Sequence, residues 1–123
     1  MTRDGDVTTE ELARRLGEEG LVLLDVRSRA EYAGVLGATC DPRQGRIPGA
    51  VLLELGDLLG LGPEALREAV GAPPGTEVVA YCHSGSRSAV AVAALRGAGY
   101  AARNYRGSWH EWSRDPALPA ETG

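Results

Sequence analysis

Apolar residues follow two alternating patterns along the chain, one of helical period and one of strand length. "VTTEELARRLGEEG" places Leu12 and Leu16 on one helical face, has Thr8 and Glu11 at capping-box spacing, and offers Gly17 or Gly20 as a stop. "LVLLDVR" follows as a nearly continuous apolar run, the pattern of a strand covered on both faces. "SRAEY" opens a second helix through a capping box from Ser28 to Glu31, which makes a βα unit. Residues 33–47, "AGVLGATCDPRQGRI", show no sustained period and carry glycines and an Asp-Pro pair, so they read as a loop. "GAVLLEL" reads as a short strand, and "PEALREAVG" as a helix with its proline in the first turn. "TEVVAYC", "SAVAVAALRGAG" and "YAARNYRG" then read as strand, helix and strand. This alternation predicts an α/β fold: an open, mostly parallel sheet with helices on both faces. One domain is expected over 1–123, with its core at about 7–112 and a C-terminal tail, 113–123, that reads as loosely held.

Composition narrows the function classes. A length of 123 residues suits one ordinary domain, and 43% hydrophobic with 24% charged residues is the balance of a soluble protein. No apolar run approaches the roughly 18 residues of a membrane helix. "MTRDGDVTTEELARRL" is polar where a signal peptide would be apolar, so a cytoplasmic location and no membrane partner are expected. A net charge of -4 disfavours nucleic acid as the main partner. All 13 basic residues are arginine, which leaves no lysine for Schiff-base chemistry. Cys40 and Cys82 make no disulfide framework. A zinc site would need both thiols together with His83 and His110, and nothing in their spacing suggests one, so no metal or cofactor is expected.

The stretch "CHSGSRS" carries the chemistry. In an open α/β sheet the ligand crevice lies outside the carboxyl ends of the strands, where Cys82 falls. A helix beginning just after it would present free backbone N–H groups and the positive end of its dipole. A free thiol with a pKa near about 8.5 is lowered by a helix N-terminus and a nearby guanidinium, a charge Arg87 is placed to supply. Ser84, Gly85, Ser86 and Ser88 are small enough for the backbone to curl around an anion, with Gly85 able to take a positive φ. Cys82 is thus the candidate nucleophile, and His83, Ser84, Gly85, Ser86, Arg87 and Ser88 are the candidate substrate-binding residues. His83 has the pKa of an acid or base, but an imidazole in an exposed loop reads first as a passive neighbour.

With its preceding strand, "CHSGSRS" resembles the active-site loop of rhodanese domains, the thiosulfate sulfurtransferases. "LLDVRSRAEY" resembles the family's DVR…EY element, "GRIPGAVLL" its G-x-I-P-G-A element and "NYRGSWHEW" its G-S-W-x-x-W element, in order from Leu23 to Trp112. The resemblance implies that Cys82 takes the outer sulfur of thiosulfate, releases sulfite and carries the sulfur as a persulfide. The backbone N–H groups from His83 to Arg87 would hold its charge. A thiophilic acceptor, whether cyanide, a thiol or a thioredoxin-like dithiol, then removes the sulfur. Phosphatases and arsenate reductases that share the fold have a loop resembling C-x5-R. Here only His83, Ser84, Gly85 and Ser86 separate Cys82 from Arg87, a tighter ring better suited to one sulfur atom. Many rhodanese-like domains that serve as interaction modules have lost the cysteine, which this chain keeps. "CHSGSR" is also closer to the thiosulfate-type loop than to the C-G-[SG]-G-[VT] pattern of mercaptopyruvate enzymes.

Residues outside the loop read mainly as scaffold. Arg27 and Glu31, at i,i+4 spacing next to Asp25, are expected to tie strand to helix. Arg46 is a candidate for reaching the substrate anion from a neighbouring loop. Cys40 reads as a bystander thiol, with a resolving role the alternative. Tyr105, Trp109 and Trp112 are expected to pack the C-terminal turn against the domain.

Overall fold

Four short segments form the sheet of the computed structural model, which describes residues 5–123; residues 1–4 of the polar N-terminal stretch lie outside the described residues. Strand β1 (Leu21–Asp25) pairs with β2 (Val51–Leu52) on one side and β3 (Glu77–Tyr81) on the other, and β4 (Ala101–Asn104) extends the sheet beyond β3. Every pairing is parallel and the order is β2-β1-β3-β4. The sheet agrees with the α/β expectation.

Because side chains alternate along a strand, the two faces divide the core. Leu24, Val78, Ala80 and Ala102 face one way and pack against Leu58, Leu66, Val70, Ala91, Val92 and Leu95. Leu23, Val79 and Tyr81 face the other way and pack against Leu12, Ile47, Tyr105, Trp109 and Trp112. Helices α3 (Leu55–Leu59), α4 (Pro63–Val70) and α5 (Ser86–Gly97) cover the first face; α1 (Thr9–Arg15) and α6 (Ser108–Trp112) cover the second.

Local chemistry sets several element ends. Ser28 and Glu31 form both arms of a capping box at the start of α2 (Arg29–Ala33). At α1 only the Thr8 arm forms, accepting the Glu11 N–H at 3.1 Å. The Glu11 carboxylate instead takes Arg15 and Arg103, which also meet Glu77 and clamp α1 to the β3 and β4 edge. Two expectations need correction. "GAVLLEL" supplies only the two residues of β2, and its end enters the unforeseen helix α3. The tail is held rather than loose. Arg43 donates to the carbonyls of Trp112, Ser113, Asp115 and Leu118, Trp112 Nε1 donates to the Pro119 carbonyl at 2.8 Å, and Arg46 and Glu121 exchange backbone hydrogen bonds. Trp109, Trp112 and Tyr105 are fully buried, as expected of packing residues.

Candidate active site

Cys82 follows the last residue of β3, and Gly85 caps the start of α5, so the turn between them places the thiol beneath the helix N-terminus. The first turn of a helix has N–H groups with no intrahelical partner. Two of the loop's N–H groups, those of Gly85 at 3.1 Å and Ser88 at 3.4 Å, donate to Cys82 Sγ, and the Ser88 hydroxyl lies 3.4 Å from it. Burial, the largest single influence, pushes the thiol pKa up. Hydrogen bonds from the Ser88 hydroxyl and from the Ser88, Gly85 and Ser84 N–H groups outweigh it and leave the thiol below its ordinary value. The sulfur therefore sits in a preformed cradle for negative charge.

The cradle depends on one glycine. Gly85 has φ 95°, and a Cβ there would lie 2.6 Å from the Arg106 carbonyl oxygen. Its own carbonyl accepts from Asn104 Nδ2 at 3.1 Å, which ties the turn to the end of β4. The Cys82 backbone is held from α6. Ser108 Oγ accepts the Cys82 N–H at 3.0 Å, and the Cys82 carbonyl accepts the Trp109 N–H at 3.0 Å. Ser108 adopts φ 55°, a left-handed conformation uncommon for a residue with a side chain. Neither Ser108 nor Asn104 was singled out from sequence; the only signal was the position of Ser108 within the quoted "GSWHEW".

Arg87 is arranged differently from expectation. Its guanidinium forms a two-point pair with Glu31, Nη1 to Oε1 at 3.0 Å and Nη2 to Oε2 at 3.2 Å. Glu31 is the main cause of the raised Arg87 pKa, with a smaller favourable interaction from Cys82. Burial of Glu31 opposes its ionisation, but Arg87 and the Ser28 groups hold its pKa at about 2. The expected Arg27–Glu31 tie is therefore replaced. Arg27 pairs with Asp25 at 2.7 Å and donates to the Gly45 carbonyl at 2.6 Å, with its guanidinium 5.3 Å from the centre of the Trp109 ring. Arg46 is also corrected as an anion contact. Its guanidinium donates to the Tyr32 and Gly123 carbonyls and lies over the Tyr32 ring, committed to the C-terminal segment.

His83 turns away from the sulfur cradle. Its Nε2 lies 2.9 Å from Asp41 Oδ2, in a group that also contains His110 and Cys40. The fold thus assembles one thiol, both imidazoles and a carboxylate, although the spacing announced no such group. Cys40 and Cys82 are both free thiols.

A buried cysteine at a strand end, cradled by N–H groups at a helix start, sits on a doubly covered parallel sheet. The chain belongs to the rhodanese-like domain family, whose model matches residues 8–115. It is 40% identical over 122 residues to a probable 3-mercaptopyruvate sulfurtransferase of Pseudomonas aeruginosa, covering 91% of this chain and 43% of that protein. It is 35% identical over 111 residues to a sulfurtransferase of Allochromatium vinosum, covering 89% of this chain and 88% of that one. A crystal structure of a probable thiosulfate sulfurtransferase superposes with TM-score 0.83 at 48% identity, over 98% of this chain and 49% of that chain. The chain spans less than half the length of the Pseudomonas protein and of the chain in that crystal structure. These relatives are named as sulfurtransferases. Among the described residues no helix is long and apolar enough to cross a membrane.

Proposed function

We propose that this domain is a thiosulfate sulfurtransferase acting through a Cys82 persulfide. The observation that carries the reading is the convergence of the Gly85 and Ser88 donors on Cys82 Sγ, together with the lowered thiol pKa. The Cys82 thiolate attacks the outer sulfur of thiosulfate. The thiosulfate S–S bond breaks with its electron pair leaving on sulfite, and a new S–S bond forms to Cys82. The terminal sulfur of the persulfide carries negative charge, which the same N–H cradle and the helix N-terminus stabilise. An acceptor thiolate, a dithiol protein or cyanide then attacks that terminal sulfur and returns the Cys82 thiolate. Ser84, Gly85, Ser86 and Ser88 shape the ring, and the Glu31 pair holds Arg87 at its rim. The proposed unit is the domain core, about 7–112, with the pinned segment 113–123; free thiols suit a reducing, cytoplasmic setting.

The relative named as a probable 3-mercaptopyruvate enzyme favours a second donor reading, in which the Cys82 thiolate attacks the sulfur of a mercapto-ketoacid, the C–S bond breaks with its electron pair leaving on the ketoacid enolate, and a proton returns to that carbon. The test is thiocyanate formation from cyanide with each donor, using the unmodified protein, Cys82→Ser and Cys40→Ser. Turnover with thiosulfate that is abolished by Cys82→Ser alone supports the proposal, whereas faster turnover with 3-mercaptopyruvate moves the assignment to the second donor. Absence of both turnover and a Cys82 persulfide by mass spectrometry overturns sulfur transfer.

A further inference from the structure

Beside the sulfur cradle, four side chains of metal-binding type converge from three parts of the chain. Cys40 and Asp41 come from the 33–47 loop, His83 directly follows the nucleophile, and His110 lies on α6. One ligand atom from each lies within 4.8 Å of all the others. Asp41 Oδ2 is 2.9 Å from His83 Nε2, Asp41 Oδ1 is 3.5 Å from His110 Nδ1, and Cys40 Sγ is 3.8 Å from Asp41 Oδ1.

A second observation points to a ligand. The Asp41 side chain is completely buried, yet its Oδ2 has no hydrogen-bond partner, and neither has His83 Nε2. The two atoms are at contact distance but misaligned for a hydrogen bond, so the N–H does not satisfy the carboxylate. Buried polar atoms in folded proteins nearly always have partners, and two facing orphans mark a place where something else completes them. Arg114 compensates part of the Asp41 charge, donating to Oδ1 at 2.9 Å, and leaves Oδ2 directed at the histidine.

We propose that Cys40, Asp41, His83 and His110 form a binding site for a divalent transition-metal ion of the zinc class. A thiolate, a carboxylate and two imidazoles make a four-ligand set suited to tetrahedral zinc, and the sulfur and nitrogen donors exclude magnesium and calcium. Bonds of about 2.0–2.3 Å in a tetrahedron put ligand atoms about 3.3–3.6 Å apart, so the widest pairs must draw in by up to about 1.5 Å and the Asp41–His83 pair must open by about 0.5 Å. Cys40 is exposed and the His110 side chain is 47% exposed, so both have room to make that adjustment. The ion would displace the Arg114 contact or share the carboxylate with it, one ligand oxygen for each. It would join the 33–47 loop, α6 and the residue next to Cys82, reinforcing the bond from the His110 N–H to the His83 carbonyl at 2.9 Å. The site stands independently of the sulfur-transfer reading.

Cobalt(II) titrated into chelator-stripped Cys82→Ser protein tests the site, because Cys40 is then the only thiol. The expected result is a one-to-one complex with a thiolate-to-cobalt charge-transfer band and tetrahedral d–d absorption, both displaced by zinc. Adding Cys40→Ser abolishes the charge-transfer band, and adding His110→Ala weakens binding at least tenfold, with circular dichroism confirming the fold of each variant. Zinc also raises the thermal unfolding midpoint of the unmodified protein, but not that of His110→Ala. Lack of a charge-transfer band, or cobalt binding that is unchanged by His110→Ala, overturns the proposal.

Discussion

Arg87 and Glu31 meet through two parallel hydrogen bonds of 3.0 and 3.2 Å, joining the first turn of α5 to the first turn of α2. Burial works against Glu31 ionisation, yet its pKa falls from 4.5 to about 2 through Arg87 and the Ser28 groups. A carboxylate depressed on folding contributes stability that is full above its unfolded pKa and lost as pH falls through its folded pKa. Glu31→Gln should remove that acid-sensitive increment. Urea unfolding across the range from pH about 5 to about 2 should show the unmodified protein losing more stability than the variant. The Arg87 side chain is 39% exposed, so solvent screening keeps the difference small. Equal pH slopes would show that the pair contributes nothing on folding.

Ser88→Ala should raise the Cys82 pKa. After burial, which opposes ionisation, the Ser88 hydroxyl is the strongest influence on this thiol, and it lowers the pKa. Thiolate absorbance followed against pH in a Cys40→Ser background reads this directly. Sulfur transfer by the variant should be slower at neutral pH and should recover partly as pH rises; an unshifted titration would assign the lowering to the backbone N–H groups alone.

Gly85→Ala combines a φ of 95° with a contact of 2.6 Å from the new Cβ to the Arg106 carbonyl. Backbone strain of this kind costs about 1–3 kcal/mol. Denaturant unfolding should show a loss in that range, and relaxation of the turn should withdraw the Gly85 N–H from Cys82 and raise the thiol pKa.

Arg27→Met leaves the fully buried Asp25 carboxylate without its ion-pair partner. Removing one member of a buried pair costs about 3–5 kcal/mol. The double variant Asp25→Leu/Arg27→Met should recover much of that loss, measured as a higher unfolding midpoint than the single variant. A double variant no more stable than the single one would show that the pair does more than neutralise itself.

Much of the sheet was legible because β1, β3 and α5 carry strong patterns: Leu23 and Leu24 fill opposite faces, and Cys82 ends an unbroken apolar run. Helix α3 was not legible. Its N-cap, Glu54, makes no side-chain capping bond, and the helix is continuous with the apolar run of β2. The expected Arg27–Glu31 tie failed because the i,i+4 rule holds only for two residues on one helix, and α2 begins at Arg29. Arg27 is outside the helix and turns back to Asp25. Ser108 and Asp41 reach the site through contacts spanning 26 and 42 positions, which no local pattern records. Asp41 was read only as half of an Asp-Pro turn.

The two hydrogen bonds that fix the Cys82 peptide come from residues at least 26 positions further along the chain. A nascent chain emerges N-terminus first, so the sulfur-bearing loop leaves the ribosome before Ser108 and Trp109 exist to hold it. The donors to the sulfur itself, Gly85 and Ser88, lie within six positions of Cys82, so the cradle is local in the chain while its anchoring to α6 waits for the C-terminal segment.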